Sequence, residues 1–598
     1  LTWRAFIIGL LGVLGLALLT PVNDYALGNT YITGNHFPVG AFFFLLVLVL
    51  VVNVLLGWLR RNWALRRAEL MLVFSMMLVA STVPASGLMR YWFPLTASPP
   101  YLSQRADFFW EDRVLPDSPE GILLSKDPKS VASRKFFQGT PEGEPVIVPW
   151  REWSRVILTW SPFILCYYGA VFFLCGLLRR QWVERERLLF PIARFPLELT
   201  EGAGEGGLLP AVFRSRAFVV GIIVVLAFGF IRLSPLLTGA EQGRLFTVPV
   251  RAFLQDTPLS QMNVSDGQIY PLVIGIAFLV AAEVSLSMWL FYLLNCTQNQ
   301  VFYSMAVPIR GGPWGFLVWQ QTGAFLAFTA GMLWLSRRHL LDIVRNATGI
   351  GRRTDDSAEP LSFRFGAWAF LLCSVGMVAW YVHFGLTIGV AILLLALVFS
   401  LVLVHARLVC QGGVILTGQS WRPPVLLHSI TGGRAFAPEA VVVVQAQHAI
   451  LTADCREMLS PHAMNAMRIS SVFERHRRLF LPALFAALLV ALPASGYSTL
   501  RWVYYSEGAL NLKNQYAVSW HSQYNYNTAH EMITNPSGSA QTHYVGLAFG
   551  AGVMLVLQGL RGLFYWWPIN PLGFLLAASW AIRPLWFSFL LGWLAKVL

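Results

Sequence analysis

Charged side chains are scarce in this sequence. Asp, Glu, Lys and Arg supply 12% of its 598 residues, hydrophobic residues 56%, and mean hydropathy is +0.57. About a quarter of an ordinary soluble domain is charged. A soluble protein of this size would need more polar surface to cover its core, so that class is excluded. Acidic residues are the scarcer sign, 30 against 44 basic ones, for a net charge of +14. In a soluble chain this excess would raise nucleic acid as a partner. Here the arginines cluster beside apolar runs, so the excess is read as setting topology, and no nucleic acid is expected. Only six cysteines occur, Cys166, Cys175, Cys296, Cys373, Cys410 and Cys455. They form no CxxC pair and no disulfide framework, which leaves buried free thiols. GxSxG, HExxH, Walker A and Rossmann patterns are also missing. The chain is therefore read as no enzyme, without cofactor or bound metal, and the lack of a P-loop argues against direct ATP drive.

Aromatic residues, at 14%, suit belts at two membrane interfaces. A helical span needs about 20 apolar residues, because backbone groups in lipid must pair within the segment. Spans are expected at about 3–20, 37–59, 68–85, 156–178, 217–235, 270–294, 314–335, 363–383, 386–405, 479–497, 543–560 and 571–595. No cleavage-site pattern follows the first run, so it is a span and not a signal peptide. The chain begins at Leu1 and ends just after an apolar run, and both ends are expected to be incomplete.

Arginine orients the spans. Arg60, Arg61, Arg66 and Arg67 form one cluster; Arg179, Arg180, Arg185, Arg187, Arg214 and Arg216 a second. Arg337, Arg338, Arg345, Arg352 and Arg353 form a third, and Arg468, Arg475, Arg477 and Arg478 a fourth. All four are cytoplasmic by the positive-inside rule. Segments 21–36, 92–155, 236–269 and 498–542 then face outward. An odd number of spans separates the second and third clusters, so a segment must re-enter or a span must be broken. Asn295 to Gln300, followed by Pro308, Gly311, Gly312 and Pro313, is the expected place. Polar and helix-breaking residues at membrane depth belong against protein or a wet cavity, as in transporters. Segment 407–467 is also irregular, and a helix there is expected to lie at the cytoplasmic interface or dip into the bundle.

Two stretches match. Pro84-Ala85-Ser86-Gly87 ends one apolar run and Pro493-Ala494-Ser495-Gly496 another, with Arg90 and Arg501 following. Each leads through a long outward segment to another span, then to an aromatic-Pro turn at Phe190-Pro191 or Trp567-Pro568. This reads as two copies of one unit, the building plan of many secondary transporters. Ser86, Gly87, Ser495 and Gly496 permit close helix approach and free backbone groups that can bind a solute or ion.

Glu283 stands near the middle of an expected span. A carboxylate in hydrocarbon costs about 2.5 kcal/mol or more on insertion scales, so Glu283 is expected to face a polar cavity or a broken helix and to bind a proton. Ser287, one turn on, shares its face. Asn295, Gln298, His405 and Gln411 complete the solute- or proton-binding candidates. The outward stretch with His521, His530 and His543 has no metal-ligand spacing.

Leu1-Thr2-Trp3-Arg4-Ala5, Ala80 to Gly87, the run Leu177 to Pro191 and Asn570-Pro571-Leu572-Gly573-Phe574 resemble the oligopeptide transporter (OPT) superfamily. Glu283-Val284-Ser285 to Trp289 is similar to an uncharacterised bacterial OPT-like branch. The resemblance covers nearly the whole chain. It implies proton-coupled import of small peptides or metal chelates across a bacterial inner (cytoplasmic) membrane. The fold expected is an all-α membrane bundle of about 12–16 helices, with broken or re-entrant segments and two related halves. The function expected is a proton-coupled secondary transporter. A non-transporting scaffold that binds a partner through its outward segments is the alternative. The expected partners are the lipid bilayer, a small solute and protons, with a homo-oligomer left open.

Overall fold

The computed structural model describes residues 2–598 except 106–107, 109, 204–208, 239–245, 307–311, 352–353, 474–476 and 537–540. The expectations placed on Pro308, Gly311, Arg352, Arg353 and Arg475 lie outside the described residues. Among those described, seven helices are long and apolar enough to cross a membrane. They are Trp3–Ala26, Val39–Leu59, Trp150–Arg185, Phe363–His383, Ile388–Gly412, Arg477–Tyr504 and Gln541–Leu563. Two shorter apolar helices, Arg216–Ile231 and Trp586–Val597, accompany them. The strands described are two-residue pieces, Thr247–Val248 paired antiparallel with Gly267–Gln268. The chain is a multi-pass, all-α membrane protein. Apolar side chains face outward along these helices, Leu158 and Leu372 each 73% exposed, as a lipid-facing surface requires.

Three expected spans are not continuous helices. The run 68–85 ends as a helix at Ala80, and a new one, Met89–Leu102, starts after a turn. Pro84 lacks the N–H a helix needs, and a Cβ on Gly87 would sit 2.2 Å from the Thr82 carbonyl oxygen. The run 270–294 divides into Pro271–Leu279 and Ala282–Ser304, with Val280 and Ala281 extended. Neither residue is a helix breaker. The break is held from outside: Lys596 Nζ donates to the freed Val280 carbonyl at 2.6 Å. The run 571–595 divides into Pro571–Leu576, a 3-10 turn Trp580–Ile582 and Trp586–Val597, with Asn570 and Ser579 side chains capping the first two.

The interruption in this region falls at a different residue pair from the stretch expected. Asn295 to Gln300 lie within the uninterrupted helix Ala282–Ser304, and the break falls at Val280-Ala281. Segment 407–467 packs against the other helices. Its helices Pro423–Ile430, Pro438–Leu451 and Leu459–Ile469 are largely buried, the second without interruption from Ala440 to Leu451.

The arginine-rich connections meet one another. Arg67 donates to the Leu197 carbonyl, Arg185 pairs with Asp342, and Arg477 donates to the Ala358 carbonyl. Segments 92–155 and 498–542 also meet. Ala509 and Leu510 N–H donate to the Phe136 and Phe137 carbonyls, and Thr140 Oγ1 donates to the Tyr505 carbonyl at 2.7 Å.

Helices Gly312–Leu335 and Gln541–Leu563 pack with their backbones in contact. A Cβ at Gly323 would lie 1.9 Å from the Leu547 carbonyl oxygen, and one at Gly550 the same distance from that of Gln320. Small residues permit this approach, which is how helices associate where lipid supplies no hydrophobic drive. Gly550→Leu should destabilise the purified protein by about 1–3 kcal/mol in a thermal melt. Gly552→Leu, whose Cβ would enter open space, should leave the melt unchanged. Equal melts for both variants would reject the close pair.

Candidate functional site

A cavity of about 940 Å³ is lined by residues that follow the 81–88 break, by the 452–458 loop and by the segment 514–525. This is the size range of small-molecule sites. Its wall is polar and aromatic: Arg90, Arg422, Arg456, Asp454, His448 and His521 line it with Tyr31, Trp421, Tyr516, Trp520, Tyr524 and Trp580.

Each charged group is placed by an irregular part of the fold. Asp454 and Arg456 belong to the loop between helices Pro438–Leu451 and Leu459–Ile469. Asp454 accepts from Arg456 Nε at 3.0 Å on both carboxylate oxygens, and from the Tyr91 hydroxyl at 2.5 Å. The loop lies outside the seven spans. Burial opposes ionisation of Asp454, yet the Arg456 guanidinium holds it well below the usual carboxylate range. Arg422 precedes the helix Pro423–Ile430; it donates to Thr528 Oγ1 at 3.2 Å and lies 3.8 Å from the Tyr524 ring centroid. Arg90 sits in the first turn after the break at 81–88 and is 5% exposed. The rings of Tyr25, Tyr31, Tyr91 and Tyr516 surround its guanidinium at 5.6–5.8 Å.

Glu457, next to Arg456, closes the site from behind. Its carboxylate accepts from the Ser86 N–H at 2.8 Å and from the Gly34 N–H. One buried side chain thereby ties the loop before residue 36, the 81–88 break and the 452–458 loop together. Burial pushes Glu457 up to about 7, against the pull of the Ser86 N–H and of Arg456.

Two of the sequence candidates touch cavity-lining groups. Ser86 Oγ accepts from Arg90 at 3.4 Å, and His405 Nε2 lies 3.0 Å from Oε1 of Gln419, which lines the cavity. Gly87 belongs to the same turn as Ser86, its carbonyl accepting from the Tyr168 hydroxyl at 3.3 Å. Glu283 is elsewhere. It stands in the first turn of the helix that follows the Val280-Ala281 break, one-third exposed, and pairs with Arg561 at 3.3 Å. Ser287 Oγ bonds the Glu283 carbonyl and the Asn570 N–H, both at 2.6 Å, which fixes the start of helix Pro571–Leu576. Asn295 lines a pocket of about 20 Å³, room for one water and not for a solute. Gln298 donates to Gln320 Oε1 at 2.7 Å, and Gln411 accepts from Arg407 Nε at 2.7 Å.

The second Pro-Ala-Ser-Gly copy differs from the first. Ser495 and Gly496 lie within the continuous helix Phe480–Ser498, Ser495 fully buried. Gly496 faces Met89 and Phe93, whose atoms would lie 3.7 and 3.6 Å from an added Cβ. The two copies thus come near one another, one as a break and the other as a helix.

Arg422, Asp454, Arg456 and Glu457 escaped the sequence reading. Their signal was present: charged residues recurring in a segment of otherwise moderate hydrophobicity, where charge is costly unless paired or functional. Among the described residues no cluster of three or more His, Cys, Asp or Glu side chains has a metal-binding arrangement.

No curated protein matches the chain at a significant level. The model of a family described as a family of unknown function, DUF6785, matches residues 1–598, and the chain belongs to that family.

Proposed function

We propose that this protein is a proton-coupled secondary transporter for a small peptide-like or metal-chelate solute, related to the OPT superfamily and working in a bacterial cytoplasmic membrane. The observation that carries this reading is the cavity of about 940 Å³, walled by arginines and aromatic rings inside a multi-pass bundle. A scaffold would have no use for charged groups around an interior space, since each costs free energy to remove from water. The helix break at 81–88 brings Arg90 into the cavity wall, and interrupted helices beside a binding site are a feature of transporters. The paired Pro-Ala-Ser-Gly stretches support two related halves. Their different local structures belong with a pair that has diverged, one copy serving the site and the other packing against it.

The proton is placed on Glu457. It is buried, it bridges three segments, and it adjoins the Asp454–Arg456 pair in the cavity wall. The test is uptake by proteoliposomes containing the full chain, with a peptide and chelate library and an imposed pH gradient. Accumulation that collapses when the gradient is dissipated is the expected result. Absence of uptake across the library, from protein verified as folded and inserted, would reject the transport reading.

A further inference from the structure

The aromatic wall of the cavity is not explained by packing. Tyr516, Trp520 and Tyr524 recur every four residues along the turn Ala517–His521 and the helix Ser522–Thr534, so they share one face. They stack as a ladder, with ring centroids 5.5 Å apart at the first step and 4.8 Å at the second. Rings buried for stability would be covered, yet these are 40%, 54% and 45% exposed along the cavity. A flat apolar body is the kind of group that covers such a surface, through offset stacking.

A guanidinium stands at each end of the ladder. Arg90 lies 5.6 Å from the Tyr516 ring and Arg422 lies 3.8 Å from the Tyr524 ring. Asp454 pairs with Arg456, but among the described residues no carboxylate forms an ion pair with Arg90 or Arg422. Arg90 Nε is buried without a hydrogen-bond partner. Two buried guanidinium groups in the wall are therefore met by carboxylates only from beyond contact distance, which is expensive in a partly dry site. A planar guanidinium with spare N–H groups is the usual partner of a carboxylate.

We propose that the cavity binds an organic dianion with a flat apolar body. The body stacks on Tyr516, Trp520 and Tyr524; one acid group pairs with Arg422 and the other with Arg90. This deepens the transport reading and rests on it for the physiological role. Acidic peptides and carboxylate-rich chelates share the required charge.

Calorimetric titration of the detergent-solubilised full chain tests it directly. The probes are biphenyl-4,4′-dicarboxylate, its neutral dicarboxamide and biphenyl-4-carboxylate. The dicarboxylate should bind saturably and about tenfold or more tighter than either of the others, a difference of about 1.4 kcal/mol. Arg422→Gln should remove most of that advantage, so that the diacid and the monoacid bind alike, while Arg422→Lys retains part of it. If the variants do not fold, the probe series on the native protein decides alone. Equal binding of diacid and dicarboxamide, or no saturable binding of the diacid, would overturn the inference. Solute uptake without dicarboxylate binding would remove this inference alone. Dicarboxylate binding without uptake of any solute would remove the transport role and leave the site.

Discussion

Arg179→Met should cost about 3–5 kcal/mol of stability, because it strands a buried carboxylate. Arg179 is 1% exposed and Glu359 3%. Its Nη1 donates to Glu359 and Glu184, both at 2.9 Å, and its Nε donates to the Met467 carbonyl and to Ser470 Oγ. One guanidinium thus joins the end of helix Trp150–Arg179 to two other connections. Removing it leaves Glu359 without its partner and takes a donor from the Met467 carbonyl and from Ser470 Oγ. A thermal melt or denaturant titration of the purified protein should show a large loss, with reduced folded yield. Arg179→Met with Glu359→Leu should recover much of it, since replacing both charges by apolar groups is often neutral. A loss below about 1 kcal/mol, the scale of an exposed pair, would show that the pin contributes little.

Glu457→Gln should abolish the pH-driven component of uptake and change the pH dependence of stability. Burial raises the Glu457 pKa in the folded protein to about 7, above the ordinary carboxylate range. The sign follows from linkage. A raised pKa means that the folded state holds the proton more tightly than the unfolded chain. The associated stability is complete below the unfolded pKa and is lost as pH rises through about 7. The native protein should therefore lose stability towards pH 7, and Glu457→Gln should flatten that part of the profile. Gln still accepts one of the two N–H bonds but cannot titrate. Glu283→Gln is the comparison. Its carboxylate is one-third exposed and pairs with a similarly exposed Arg561, so its loss should cost about 1 kcal/mol or less. Uptake by Glu457→Gln with unchanged pH dependence would remove the proton from that residue. Loss of pH-driven uptake in Glu283→Gln instead would move it to the ion pair at the Val280-Ala281 break.

Much of the fold was legible because lipid imposes a simple rule. Backbone groups must pair within a segment, so spans appear as long apolar runs. Runs such as Val39–Leu59 and Ile388–Gly412 could be read directly. A break is legible only when the residue causes it. Pro84 and Gly87 marked the end of a helix, although the same four residues at 493–496 continue one; Val280 and Ala281 marked nothing, because the Lys596 ammonium that holds the break open comes from the far end of the chain. Segment 407–467 was ambiguous for a related reason. Moderate hydrophobicity fits both an interfacial helix and one buried among polar groups, and only the surrounding helices decide between them.

The sequence by itself determined that this chain is a membrane protein, where many of its spans lie, and which connections carry the arginines that meet on the folded protein. Composition, run length and charge clustering are local properties, and each residue declares them without its neighbours in space. Tertiary structure alone decided the site. Arg90, Arg422, Asp454, Trp520 and Glu457 are spread over more than half the chain and converge on one cavity. Glu283, the charge most conspicuous in sequence, ends in an ion pair at the edge of a helix break. The reason is energetic. The cost of a buried charge is set by what packs around it, and those partners come from segments that no reading along the chain brings together.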